Sequence, residues 1–116
     1  MTAAAVELLT RSRARIAPPG AWERWGYART ADGLCALPTQ PGVVAWCALG
    51  ALWEERKPEL TQAYLDADTY LCEAAHRLGS STVAEYNMQH TQADVLGLYD
   101  VAIALAELAT SGALIQ

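Results

Sequence analysis

Phenylalanine is absent from the sequence, and the large aromatic side chains are instead four tryptophans and five tyrosines. These rings carry an N–H or O–H group that needs a hydrogen-bond partner when it is buried. The sequence also lacks any uninterrupted run of about 18 apolar residues, so it predicts no membrane-spanning helix. Glu7 and Arg11 interrupt the apolar start, and no charged segment precedes it. The sequence therefore predicts no signal peptide and a cytoplasmic protein.

Cysteines and basic residues are few. Three cysteines, an odd number without a repeated spacing, are not typical of a disulfide framework and fit a reducing compartment. The net charge of −5 argues against general nucleic-acid binding, which depends on Lys and Arg neutralising phosphates. The charges are unevenly distributed, since the first 29 residues hold five arginines and only two acids, Glu7 and Glu23. This pattern favours compensation of the dipole of a first helix over a dedicated anion site.

Several catalytic patterns are also missing. The sequence has no phosphate-binding glycine loop, no His-Glu metalloprotease pattern and no paired carboxylates at motif spacing. No cofactor is therefore expected. Internal repeats and low-complexity tracts are absent, and 116 residues with 53% hydrophobic side chains suit a single domain over residues 1–116.

What is present predicts a mostly helical α+β domain with about four helices, because the chain is rich in alanine. Apolar residues at helical spacing predict a first helix from about Thr2 to Ile16, which Pro18-Pro19-Gly20 ends. Extended runs at 25–29 and 34–37 flank Asp32-Gly33, a turn signal. They predict a small β-hairpin between the first and second helices.

The second helix is predicted to be central. Gln40-Pro41-Gly42 indicates its start, because proline is tolerated in a first helical turn, and the apolar pattern runs to about Lys57. Pro58 would end or kink it. Gly50, between Ala48 and Ala51, would let another element come close to this helix.

The second half of the chain predicts two more helices. A helical stripe runs from Leu60 to Leu78 and stops at Gly79, and its opposite face is acidic. Residues 82–88 show no strong period and are predicted to be an extended connection. Thr91 and Asp94 have capping-box spacing and predict the start of a last helix that Ser111-Gly112 closes.

Three blocks of sequence carry a resemblance. They are Trp25 to Gly33 (WGYARTADG), Trp46 to Leu52 (WCALGAL), and Tyr86-Asn87 followed by Thr91, Val95-Leu96, Asp100 and Ala102-Ile103. Together they resemble a family of small actinobacterial and phage proteins of unknown function, over most of residues 22–107. The family's third block usually reads Trp-Asn-Asp, where this chain has Tyr86-Asn87-Met88, so no role of that acid transfers. The resemblance implies a bacterial or phage intracellular setting and brings no established activity.

Cys47 allows an enzymatic interpretation. Trp46-Cys47-Ala48 resembles the nucleophile helix of small papain-like and amidase-like cysteine hydrolases, and His90 and Asn87 would complete the catalytic set. However, a helix that begins near Pro41 would place Cys47 nearly two turns inside it, where the helix dipole helps little and apolar neighbours raise the thiol pKa. A buried cysteine that fills a small core site is the other interpretation.

A metal site is a further alternative. Cys72 and His76 lie at i and i+4 on one predicted helix face, where they could share a metal such as zinc. Two ligands do not make a site, and the spacing resembles no zinc finger. The other interpretation places Cys72 in the core and leaves His76 partly exposed.

For function, the small size and the missing catalytic patterns favour a non-enzymatic, cytoplasmic accessory or inhibitor-like protein that binds a protein partner. An oligomeric structural component is the remaining alternative to the hydrolase, and the oligomeric state stays open. The predicted binding surface combines the hairpin with the segment that follows residue 85. Its residues are Trp25, Tyr27, Arg29, Asp32, Tyr86 and Asn87.

Overall fold

A computed structural model of the chain describes residues 2–56 and 59–112. Over these residues the protein is a mostly helical α+β domain with five helices and one three-stranded antiparallel sheet. None of the described helices is long and apolar enough to cross a membrane. In chain order the elements are α1 (Thr2–Ile16), β1 (Ala28–Thr30), β2 (Cys35–Ala36), β3 (Val43–Trp46), α2 (Ala48–Arg56), α3 (Gln62–Arg77), α4 (Val83–Gln89) and α5 (Gln92–Gly112).

The helical core is built around α1, which packs against α2, α3 and α5, so the prediction that the second helix is central is wrong. Leu9 and Ile16 of α1 are fully buried with Leu98 and Tyr99 of α5 in one apolar cluster. The predicted first and last helices are confirmed. They form here because their apolar residues recur at a spacing that places them on one helix face, where they can be buried together.

Side-chain caps set the beginnings of α3 and α5, among other helices. Thr61 accepts a hydrogen bond from the amide of Tyr64 and begins α3, which occupies the predicted third helix. At the start of α5, the Asp94 amide donates to Thr91 Oγ1 (3.2 Å) and the Thr91 amide donates to Asp94 Oδ2 (3.1 Å). The capping box expected from the sequence is therefore present.

A hairpin of β1 and β2, in which Arg29 pairs with Cys35, lies between the first two helices as predicted. Its strands, Ala28–Thr30 and Cys35–Ala36, do not coincide with the runs predicted at 25–29 and 34–37. Gly33 has a φ of 87° and its amide donates to the carbonyl oxygen of Thr30 (3.0 Å). Such a turn favours glycine, because other residues rarely adopt a positive φ. The Asp32-Gly33 turn signal therefore marked the hairpin correctly.

The predicted start of the second helix at Pro41 is wrong. Val43–Trp46 forms the strand β3, which pairs with the other side of β1 in the sheet order β2-β1-β3, and α2 begins only at Ala48. Gly42 has a φ of 87°, which a helix cannot contain, and the following β-branched valines favour the strand. The predicted end at Lys57 and Pro58 lies outside the described residues.

The extended connection predicted for residues 82–88 is also wrong, because this segment forms the short helix α4. Thr82 Oγ1 accepts from the Glu85 amide (3.0 Å), while Glu85 Oε1 accepts from the Ser81 amide (2.9 Å). A helix of 7 residues is unstable alone, so the burial of Val83, Tyr86 and Asn87 against the rest of the fold must stabilise it.

Candidate functional site

The site is organised around the junction of β3 and α2, where Cys47 lies. Because α2 begins at Ala48, Cys47 occupies the residue before the helix rather than its interior. Its Sγ accepts from the Gly50 amide (3.2 Å), and its own amide donates to the carbonyl oxygen of Tyr27 (3.0 Å). The thiol thus acts as a cap of α2, close to the positive end of the helix dipole.

Asn87 of α4 connects this junction to the segment before β1. Its Oδ1 accepts from the indole N–H of Trp22 (2.7 Å) and from the amide of Ala48 (3.0 Å). Its Nδ2 donates to the carbonyl oxygens of Glu23 (3.1 Å) and Arg24 (3.0 Å). With four hydrogen bonds and 2% exposure, the amide is fully used inside the protein. Asn87 therefore shapes the site from below its surface and presents no free group to a ligand.

Arg24 lies over two aromatic rings of this segment. Its guanidinium lies 5.0 Å from the ring centroid of Trp22 and 5.9 Å from that of Trp25. It also donates to the carbonyl oxygen of Met88, at 2.9 Å. These contacts hold the side chain in one place without using a carboxylate partner.

A cavity of about 130 Å³ opens between the segment before β1, the start of α2 and α4. We call it the aromatic pocket. Its apolar lining comes from Trp25, Tyr27, Leu49, Ala84 and Met88, and Gly26, Arg24, Cys47 and Asn87 complete it. Trp25 is 75% exposed and Tyr27 49% exposed, so two large rings of the lining face solvent. Tyr27 is supported from behind by an edge-to-face contact with Trp53 (5.6 Å between centroids).

The structure brings Cys47 and Asn87 to the same pocket but does not place His90 there. His90 Nδ1 donates to the carbonyl oxygen of Tyr86 (2.9 Å), and its ring stacks on that of Tyr86 with 3.8 Å between centroids. Burial raises the pKa of the Cys47 thiol, and the hydrogen bonds from the Gly50 and Leu49 amides oppose this only in part. The thiol is therefore protonated at neutral pH, without a base among the residues described around it.

Cys72 and His76 share one face of α3, as the spacing predicts, but their surroundings differ. Cys72 packs partly buried against the core, and burial raises its pKa. His76 Nε2 donates to the carbonyl oxygen of Ser81 (2.9 Å), which ties the end of α3 to the segment before α4. Within residues 2–56 and 59–112, no group of three or more His, Cys, Asp or Glu side chains could hold a metal ion.

Three residues of the predicted binding surface, Arg29, Asp32 and Tyr86, do not line the aromatic pocket. Arg29 is partly buried, and its guanidinium binds Glu23 (2.9 Å) and the carbonyl oxygen of Gly20 (3.2 Å). Asp32 is exposed in the hairpin turn, where it accepts from the Thr30 hydroxyl. Tyr86 is buried beneath His90. Of the six predicted surface residues, Trp25 and Tyr27 are the two exposed rings at the pocket.

The site also contains residues that the sequence did not predict, namely Arg24, Gly26, Leu49, Ala84 and Met88. Ala84 and Met88 lie on α4, and the capping pattern of Thr82 and Glu85 could have revealed that helix. Met88 follows Ala84 by four positions, so a helix places both on one face. Leu49 could be found only through the tertiary contact between α2 and α4.

A family model described as a family of unknown function, DUF6197, matches residues 1–105. The chain belongs to this family. The match covers all the residues that build the aromatic pocket. No curated protein and no solved structure matches the chain. Membership in this family of unknown function brings no activity with it.

Proposed function

We propose that this protein is a small, non-enzymatic accessory or inhibitor-like protein that binds a protein partner through the aromatic pocket. The observation that carries the proposal is the exposure of Trp25 and Tyr27 at the mouth of an apolar cavity. Exposed apolar residues are ordinary when scattered, but a group of them around a cavity is typical of an interaction site. A cytoplasmic location and a phage or actinobacterial origin, which the family resemblance implied, belong to the same proposal.

The size of the cavity supports a protein partner over a small molecule. Pockets for drug-sized ligands and cofactors usually hold about 300–1,000 Å³. The aromatic pocket holds about 130 Å³, close to the engineered cavities of about 150 Å³ that take up one benzene molecule. It therefore suits a single inserted side chain, with the remaining contact area supplied by the rings around it.

The composition of the surface supports the same conclusion. Tryptophan, tyrosine and arginine are the residue types enriched among those that dominate binding energy at protein interfaces. Trp25, Tyr27 and Arg24 stand together at the pocket, and Asn87 and Gly50 hold the backbone beneath them. A surface that is already ordered loses little conformational freedom on binding.

Affinity capture from the native host tests the proposal. The baits are the wild-type protein, Trp25→Ala, and Leu108→Ala as a matched control that removes an exposed apolar side chain from α5. We expect one protein to be retained by the wild type and the control but lost from Trp25→Ala, with the same thermal midpoint for all three baits. Equal retention by Trp25→Ala, or no protein retained specifically by the wild type, would contradict the proposal.

A small cysteine hydrolase is the second candidate, and the position of Cys47 before α2 and at the pocket favours it. The sequence-based objection that the thiol lies two turns inside a helix no longer applies. Two other features oppose this function, namely the raised thiol pKa and the hydrogen bond that holds His90 to Tyr86. A Cys47→Ala protein that folds and keeps its cellular phenotype would exclude the hydrolase.

A further inference from the structure

Arg24 differs from the other arginines of the basic N-terminal segment. Four of the five form ion pairs within the protein: Arg11 with Glu7 and Glu55, Arg13 with Asp100, Arg15 with Glu54 and Glu55, and Arg29 with Glu23. Arg24 forms no ion pair with any residue of 2–56 or 59–112. Its neighbour Glu23 does not compensate it, because that carboxylate binds Arg29 Nε (2.9 Å) and the Trp25 amide (3.1 Å). The described part of the pocket therefore carries one uncompensated positive charge.

The guanidinium is held in a position from which it can bind an incoming anion. Its Cζ lies over the rings of Trp22 and Trp25, and the hydrogen bond to the carbonyl oxygen of Met88 uses Nη1. A guanidinium has five N–H donors, so further donors are left for a ligand. Stacked arginine is weakly hydrated and binds carboxylates through two parallel hydrogen bonds, which makes it suited to an interface ion pair.

We propose that the partner presents an acidic segment to the aromatic pocket: one aliphatic or phenyl side chain enters the cavity, and an Asp or Glu close to it in sequence pairs with Arg24. This inference depends on the proposed function, since it names the chemistry of the partner at that site. A carboxylate fits better than a phosphate, because phosphorylated segments are usually bound by clusters of arginines and the described lining of this pocket contains one.

The expected effects of the two contacts differ in size and in salt dependence. Loss of the Trp25 ring should weaken binding about thirtyfold, as for residues that dominate interfaces. Loss of the Arg24 charge should weaken it about fivefold at low salt, as for a partly exposed ion pair. The Arg24 effect should shrink as salt screens the charges, whereas the Trp25 effect should persist.

A random peptide display library, panned on the full-length protein with counter-selection on Trp25→Ala, provides the test. We expect the selected peptides to share a Leu, Ile, Met or Phe with an Asp or Glu within two positions of it. The strongest peptide is then synthesised with its acid intact and with the acid replaced by its amide. Binding of both peptides is measured to the wild type, to Arg24→Gln, and to Arg77→Gln, which removes a charge from the exposed Glu73 pair on α3.

The two losses should not add: replacing the peptide acid should cost about fivefold with the wild type and with Arg77→Gln, but almost nothing with Arg24→Gln. The acidic partner would be excluded if the selected peptides showed no preference for Asp or Glu. It would also be excluded if the losses from replacing the peptide acid and from Arg24→Gln added together. Neither result would contradict binding at the aromatic pocket itself. A library that yields no peptide dependent on Trp25 would contradict the proposed function as well. The two failures are therefore distinguishable.

Discussion

Gly50 lies directly against the carbonyl group of Tyr27. A β-carbon added at Gly50 would stand 2.0 Å from the Tyr27 oxygen, the same oxygen that accepts from the Cys47 amide. No side chain at position 50 fits unless the segment before β1 moves away from α2. The close approach predicted for Gly50 from the sequence is confirmed, and the approaching element is the backbone of the pocket itself.

We therefore expect Gly50→Ala to destabilise the protein by about 2–4 kcal/mol, because the obstructing atom is backbone and cannot rotate away. The matched control is Gly97→Ala on α5, where an added β-carbon would meet nothing within 4 Å. The control should be neutral or stabilising by up to about 1 kcal/mol, since alanine favours helix over glycine. Urea unfolding of both variants measures the difference. Equal stabilities would mean that Gly50 does not hold the two segments together.

Asn87 should be the polar side chain on which the site depends most. We expect Asn87→Ala to destabilise the protein by about 3 kcal/mol or more, because it leaves the Trp22 indole, the Ala48 amide and two carbonyl groups without their buried partner. Trp22→Phe removes only one donor of this group and should cost less. Denaturant unfolding gives both values, and a smaller loss of stability for Asn87→Ala than for Trp22→Phe would contradict this role of the four Asn87 hydrogen bonds.

The pH dependence of stability should reveal the contribution of the Glu55 carboxylate to folding. Burial acts to raise the pKa of Glu55, but hydrogen bonds from Arg15 and Arg11 outweigh it and lower the pKa below its usual value. A carboxylate with a lowered folded pKa contributes stability that is present above its unfolded pKa and is lost as the pH falls through the folded pKa. Part of the stability should therefore disappear as the pH falls below about 4.5.

Glu55→Gln should lower stability at neutral pH and flatten its decline in this acidic range. The matched control is Glu7→Gln, because Glu7 pairs with Arg11 but lies exposed on α1. Thermal midpoints measured from pH 7 to about pH 3 compare the two variants with the wild type. If Glu55→Gln kept the full acid-dependent decline, the Arg11–Glu55–Arg15 contacts would not be responsible for it.

Thiol reactivity separates the two candidate functions. Cys35 is exposed on β2, whereas Cys47 is buried with a raised pKa. We expect the folded protein to react with a thiol reagent at Cys35 first and at Cys47 much more slowly at neutral pH, because the thiolate is the reactive form. Rates measured on the Cys35→Ser and Cys47→Ser variants assign each phase. A Cys47 that reacted faster than Cys35 would instead support the hydrolase.

Local patterns predicted some elements well and failed at others for physical reasons. The helices α1 and α5 and the β1–β2 turn follow from periodicity, a capping box and Asp32-Gly33, all of which act between neighbours in sequence. Residues 43–46 were misassigned because a short apolar run fits a strand or a helix equally well. What decides between them is the hydrogen bonding offered by β1 and the segment around Trp22, which are distant in sequence.

The candidate site likewise has some features that local sequence patterns predict and others that depend on contacts between distant residues. Residue type and local order alone predict a mostly helical, alanine-rich fold, a close approach at Gly50, and a contact role for the region around Trp25 and Tyr27. Three properties follow from contacts in the folded protein: Cys47 caps α2, Asn87 is buried with four hydrogen bonds, and Arg24 has no carboxylate partner among the described residues. These properties depend on groups brought together across as many as 65 positions of sequence, and no local pattern encodes such distances.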